Sequence, residues 1–253
     1  MLRSEIRQLA AAIQFLTRLP ISKNLNPTPF ELAHAIKYFP VVGLFLGLIL
    51  AVISYGLALF HAPLGQVSIL LVAIGIGLTG AFHEDGIADS LDGLGGAFQR
   101  EKKLEIMKDS RIGTYGAAGL VLILLLRVAL WTEPPHVLLT IIPLSWMWAR
   151  SSSLPIALTT DYVSSGSANK PILNQVTRSD LLFSLLVLVG FTFFMTDMKT
   201  VLILFFINGV FLMGIRKYFI SQVGGYTGDL LGAANIAIEL LTAWTVMSLK
   251  TGI

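Results

Sequence analysis

Eleven consecutive residues, His83-Glu84-Asp85-Gly86-Ile87-Ala88-Asp89-Ser90-Leu91-Asp92-Gly93, hold four of the chain's fifteen carboxylates. Asp85, Asp89 and Asp92 follow one another at i, i+4 and i+7, which puts all three on one side of a helix, with Glu84 turned about 100° from Asp85. Like charges at those spacings repel, and beside lipid the cost grows, so the cluster calls for a cation or for raised carboxyl pKa values. An all-oxygen donor set suits a hard cation. A partial carboxylate shell suits Mg²⁺, which keeps its waters and is completed by substrate phosphate. The expected ligands are Glu84, Asp85, Asp89 and Asp92, and the expected chemistry is phosphoryl transfer. The plain alternative is a solvated helix end whose acids only mark a loop.

Cations follow in the same segment. Lys102, Lys103, Lys108 and Arg111 lie between the carboxylates and the small-residue run Ile112-Gly113-Thr114-Tyr115-Gly116. Lys102 and Lys103 read best as topological anchors, whereas Lys108 and Arg111 are candidates for substrate contact, because a guanidinium grips phosphate with two parallel donors. A third patch, Gly224-Gly225-Tyr226-Thr227-Gly228-Asp229, opens an apolar stretch. Asp229 there is either a helix cap or a substrate-binding carboxylate that completes the metal shell or orients the nucleophile. Deeper in apolar sequence lie Arg127 and Glu239, for which a mutual pair is expected and a proton or substrate path is the alternative. No G-x-x-x-x-G-K-[ST] occurs, which excludes a P-loop nucleotide engine, and zero cysteines exclude disulfides, Cys-ligated metals and thiol catalysis.

The elements that must carry these groups are membrane helices. Of 253 residues 55% are apolar and only 13% charged, with a mean hydropathy of +0.76. Seven apolar segments are bounded by charge, Pro or Gly: Val41 to Phe60, Leu64 to Phe82, Gly116 to Trp131, Val137 to Leu158, Leu181 to Met195, Val201 to Ile215 and Leu230 to Leu249. Long apolar runs without alternation exclude a barrel, so the expected fold is an all-α polytopic bundle of about six to seven spans. It forms one integral membrane domain over residues 1–253, with an N-terminal segment at 1–40 and a cytoplasmic active-site loop at 83–115. Fifteen Lys and Arg fall on one side of the seven-span arrangement and only Lys199 and Lys250 on the other, which puts the N-terminus and the long loops in the cytoplasm. The net charge of +3 is thereby read as topology rather than as nucleic-acid binding. The first twenty residues read as a retained interfacial helix with Arg3, Arg7, Gln14 and Arg18 along one stripe; an ordinary amphipathic helix packed on the bundle is the alternative.

These words together resemble a known family, the membrane-embedded cobalamin synthases, or adenosylcobinamide-GDP ribazoletransferases. The likeness runs from Phe15-Leu16-Thr17-Arg18-Leu19-Pro20 through Phe39-Pro40-Val41-Val42-Gly43, the acidic string from Gly80 to Gly93, and Met107-Lys108-Asp109-Ser110-Arg111-Ile112-Gly113-Thr114-Tyr115-Gly116, to Gly225-Tyr226-Thr227-Gly228-Asp229-Leu230-Leu231-Gly232-Ala233. It covers essentially the whole chain, and the acidic string is its most specific part. The resemblance implies a Mg²⁺-dependent enzyme of a prokaryotic inner membrane, with its active site facing the cytoplasm. Its substrates would be adenosylcobinamide-GDP and α-ribazole or α-ribazole 5′-phosphate, and its products adenosylcobalamin or its 5′-phosphate and GMP. Asp89 and Asp92 become the candidate catalytic groups. Membrane lipid and a second copy of the chain are the macromolecular partners compatible with such a protein; nucleic acid is not. Two rivals fit less well. A CDP-alcohol phosphotransferase would need D-G-x-x-A-R where Asp85-Gly86-Ile87-Ala88-Asp89 stands, and a secondary transporter would need repeated halves.

Overall fold

A computed structural model describes residues 2–21, 27–164 and 175–251. Lys23 and Lys170, counted above among the cytoplasmic basic residues, lie outside the described residues. The described chain is all-α, as expected, with one isolated parallel bridge between Tyr162 and Tyr226. The helices are α1 (Leu2–Leu16), α2 (Pro29–His34), α3 (Phe39–Ala58), α4 (Leu64–Thr79), α5 (Phe82–Gly96), α6 (Arg100–Met107), α7 (Thr114–Trp131), α8 (Pro135–Ser151), α9 (Ser153–Thr159), α10 (Arg178–Met195), α11 (Met198–Val223) and α12 (Gly228–Thr251), with a 3₁₀ turn between α2 and α3.

Each of the seven apolar segments forms a helix. Five helical stretches are long and apolar enough to cross a bilayer alone, and α4 with α5 passes only as a pair bent by 91°. The remaining one, α8, is 17 residues and about 26 Å long. It is the axis of the bundle, with nearly every side chain from Leu138 to Ser151 buried by protein. A helix apolar all round and enclosed by others must be approached closely, and glycine allows this. A Cβ on Gly43 of α3 would strike the Trp146 carbonyl, and one on Gly47 would strike the backbone of Pro143. By contrast, α10 and α11 leave Leu186, Phe193, Phe194, Leu202 and Phe206 exposed, the pattern of helices facing lipid.

Two expected segments are shorter than drawn. The fourth ends at Ser151, and Ser153–Thr159 continues as a separate short helix. The second ends at Thr79, because Gly80 (φ 69°) and Ala81 (φ 60°) both adopt left-handed backbone and turn the chain out of the span. The acidic helix α5 is therefore not the tail of a straight span; it lies beyond a 91° bend. The Phe15 to Pro20 word braces this elbow: the Arg18 N–H donates to the Leu78 carbonyl at 2.7 Å, and the Arg18 side chain fills the space a Cβ on Gly80 would take. Gly80→Ala should therefore lower stability by about 1–2 kcal/mol. Gly77→Ala, where a Cβ meets nothing, should be neutral or stabilising by up to about 1 kcal/mol. Thermal unfolding of the two variants in one detergent makes the comparison, and equal loss in both would rule out the brace.

The N-terminal segment is packed rather than merely laid on the surface. Ala10, Ala11, Ala12 and Leu16 are buried while Arg3, Gln14 and Arg18 face outward. Lys37 pairs with Glu5 at 2.8 Å, and buried His34 Nδ1 meets Asp180 Oδ2 at 2.7 Å, tying the segment to α10.

Candidate active site

Within α5 the helical period works as expected for Asp85 and Asp89, but the four carboxylates divide between two tasks. Gly86 and Gly232 let α5 and α12 cross with almost no side chain between them, so a Cβ on Gly86 would lie 3.1 Å from the Asp229 carbonyl oxygen. This crossing draws Asp229 into electrostatic reach of Asp85 and Asp89. Asp85 is exposed, and Asp89 and Asp229 are half-buried, so the three share an open face. Burial first, then the charges of Asp85, Asp229 and Asp92, push the Asp89 carboxyl up to about 6.

Asp92 and Glu84, expected as ligands, also make contacts within the protein. The Asp92 oxygens accept the Gly113 and Gly116 N–H groups at 2.6 and 2.8 Å, clamping α5 onto the start of α7. A Cβ on either glycine would collide with that carboxylate, which accounts for the small-residue run at Gly113 to Gly116. Each Asp92 oxygen thus accepts one backbone N–H, and the carboxylate positions the acidic helix on α7. Glu84 points into the protein and accepts from Arg127 Nη1 at 2.7 Å.

Arg127 also meets Glu239, as expected, with Nε to Oε1 at 2.8 Å as an ion pair and Nη2 to Oε2 at 3.1 Å as the aligned hydrogen bond. The fourth member, Arg150, has no signature in residue order. Arg150 reaches Glu239 at 3.5 Å and lies 4.5 Å over the Trp146 ring. Two arginines and two glutamates, at 1–7% exposure, thus close a neutral network across α5, α7, α8 and α12.

The basic residues are placed differently from one another. Arg111 is exposed, and its guanidinium is held two-pronged by Asp109, with Nη2 to Oδ2 at 2.6 Å and Nε to Oδ1 at 3.0 Å. That contact pulls the Asp109 carboxyl down to about 2. Lys108 is exposed and donates to Ser164 Oγ at 3.1 Å. Lys103, expected as an outward anchor, is buried and bonds Gln222, fixing α6 to α11; Lys102 remains exposed beside Glu105.

Among the described residues no three carboxylate or imidazole groups converge closely enough to hold one ion by themselves. Asp85, Asp89 and Asp229 nevertheless present oxygen donors whose mutual repulsion a hard cation would relieve, and a partial shell leaves positions for water and substrate oxygen. Such a face can anchor a charged phosphate ester through a cation but cannot act as a closed structural metal site.

The chain is similar to known proteins over nearly its whole length. The family model described as cobalamin-5-phosphate synthase matches residues 8–247. An adenosylcobinamide-GDP ribazoletransferase of Vibrio parahaemolyticus is 34% identical over 254 residues, covering 98% of this chain and 94% of the relative. One from Vibrio cholerae is 37% identical over 249 residues, covering 95% and 93%. One from Ralstonia pickettii is 34% identical over 255 residues, covering 98% and 97%. No solved structure matches the chain.

Proposed function

The chain belongs to the cobalamin-5-phosphate synthase family, and from that premise we propose that it is an adenosylcobinamide-GDP ribazoletransferase of cobalamin synthesis. The observation that carries the reading is the open face of Asp85, Asp89 and Asp229 where α5 crosses α12. In the inferred reaction the ribazole 3′ oxygen bonds to the cobinamide-bearing phosphorus, the bond from that phosphorus to the GMP oxygen breaks, and the hydroxyl proton passes to water at the open face. α-Ribazole and its 5′-phosphate both offer that hydroxyl.

Asp85, Asp89 and Asp229 would hold Mg²⁺. The bound ion would supply neutralisation of the diphosphate and of the leaving GMP. Asp92 keeps α5 seated on α7, Glu84 anchors its base to Arg127, and the glycine crossing sets the separation of the acidic residues. Arg111 and Lys108, exposed near the start of α7, are available to draw in the anionic substrate, Arg111 by exchanging Asp109 for phosphate. Purified protein given adenosylcobinamide-GDP, α-ribazole and Mg²⁺ should yield GMP together with a cobalamin product in equal amounts. Absence of both products refutes the reading.

We also infer an inner-membrane protein whose acidic face opens to the cytoplasm, from the fifteen-to-two distribution of basic residues. Gln99 and His61 are both exposed, and the chain has no native cysteine. Gln99→Cys should be labelled only from the cytoplasmic side, and His61→Cys only from the opposite side. Labelling of the first from outside would invert the orientation.

A further inference from the structure

A cavity of about 570 Å³ lies between the N-terminal segment, the start of α5 and the start of α12. It is separate from the acidic face yet next to it: Gly228, in its wall, directly precedes Asp229, and His83, also in its wall, lies two residues before Asp85. Its size falls within the roughly 300–1,000 Å³ usual for small-molecule pockets. That volume is too small for a corrin macrocycle carrying an upper nucleoside and a guanosine tail.

The chemistry of the wall narrows the occupant. Phe15 stacks on Phe39 and meets Phe82 edge to face, and Tyr162 meets Tyr226 edge to face, so aromatic rings line it from the N-terminal segment, α5 and the Tyr bridge. Among the described residues no Asp, Glu, Lys or Arg lines it, a wall that suits an uncharged portion of a ligand. Three wall residues, all at least nine-tenths buried, each hold a polar atom without a hydrogen-bond partner among the described residues: His83 Nδ1, the Tyr226 hydroxyl and Asn235 Oδ1. Buried polar atoms without partners cost free energy; these three have almost no accessible surface, so a small turn of each side chain toward the cavity would let a ligand with a few matching groups recover it.

We propose that this cavity seats the benzimidazole base of α-ribazole, leaving the ribose at the mouth beside Asp229. The assignment rests on the transferase reading above. A flat methylated bicycle with one imine nitrogen suits aromatic walls and a sparse polar complement. Guanine, the other flat base of the reaction, brings a Watson–Crick edge of several donors and acceptors, most of which would stay unpaired here. A lipid acyl chain would use the apolar area but none of the three polar atoms.

Gly228→Phe tests this directly, because a Cβ at Gly228 meets no atom within 4 Å and the added ring has room to enter the cavity. Equilibrium dialysis of α-ribazole against purified protein, with neither metal nor second substrate, should show a Kd raised about tenfold or more. In turnover, KM for α-ribazole should rise likewise while KM for adenosylcobinamide-GDP holds. Tyr226→Phe removes one hydroxyl and should raise the α-ribazole Kd by about three- to tenfold, keeping the test decisive should the first variant misfold. Unchanged α-ribazole binding in the folded variants overturns the assignment. An increase confined to the KM for adenosylcobinamide-GDP gives the cavity to the other substrate and overturns it equally. A phospholipid displaced from the cavity in Gly228→Phe by native mass spectrometry, with α-ribazole binding unaltered, overturns it in favour of lipid. Wild-type protein that binds α-ribazole in dialysis but forms no cobalamin would count against the transferase reading and not against the cavity.

Discussion

Asp89→Asn should abolish most turnover, by about a hundredfold or more, while leaving the fold as stable as before or slightly more so. The sign follows from the carboxyl's position. Its pKa rises from 3.8 to about 6 in the folded chain, so the native state holds the proton more tightly than the unfolded state does. No penalty exists below 3.8, and stability is lost as pH rises from there through about 6, because the charged form is then forced among Asp85, Asp229 and Asp92. A divalent cation on that face should return the lost stability. The unfolding midpoint of the wild-type protein should therefore rise with Mg²⁺, more at pH 8 than at pH 5, and EDTA should remove both the shift and the activity. Asp89→Asn should show a much smaller shift at either pH. Asp85→Asn should behave in the same way. Asp92→Asn should not: one amide face turns N–H toward the Gly113 or Gly116 N–H, costing about 1–3 kcal/mol of stability before any effect on chemistry is considered. A Mg²⁺ shift that is equal in wild type and Asp89→Asn would remove the ion from this face.

How much of this could be read from residue order depends on where each group's partner sits. The i, i+4 relation of Asp85 and Asp89 is local, dictated by the helical period, and survives in α5. Asp92 shares that period but is claimed by two backbone N–H groups twenty-one and twenty-four positions away, and backbone donors carry no signature of their own. Glu84 is turned inward by Arg127, 43 residues on. Arg127 itself was legible, since an arginine inside an apolar run must find an acid, and Glu239 was the available one. Arg150 was not, because it counts among the cytoplasmic anchors although it lies within the segment from Val137 to Leu158, and only the packing of α8 shows it buried. The seven apolar segments were legible from length alone. The elbow was not, since a left-handed alanine at position 81 violates the local preference and is held by packing. The aromatic cavity was the least visible part, being assembled from Phe15, Phe82, Tyr162 and Tyr226, far apart in the chain, with no periodicity linking them.

Arg127→Leu should cost about 3–5 kcal/mol of stability, the larger part from leaving Glu84 and Glu239 buried with only Arg150 to share. The cost arises because neither carboxylate can reach water from 7% and 1% exposure, and the remaining guanidinium is 3.5 Å from Glu239. Arg127→Lys keeps the charge but loses the fork that bonds Glu84 and Glu239 at once, so it should recover only part of the loss. Removing one carboxylate as well tests the mechanism: Arg127→Leu with Glu84→Gln leaves Arg150 paired with Glu239, a neutral remainder, and should be more stable than Arg127→Leu alone. Additive losses in the double variant would mean that packing around α7, and not charge balance, sets the cost. The same series separates a structural clamp from a proton or substrate path. A path predicts turnover lost in Arg127→Lys with the unfolding midpoint intact, whereas the clamp predicts that activity falls with stability and returns with it. The clamp also has a functional consequence, because Glu84 lies one residue from Asp85. Loosening it frees the base of α5, so that the acidic face loses its register against α12 even in variants whose carboxylates are all present.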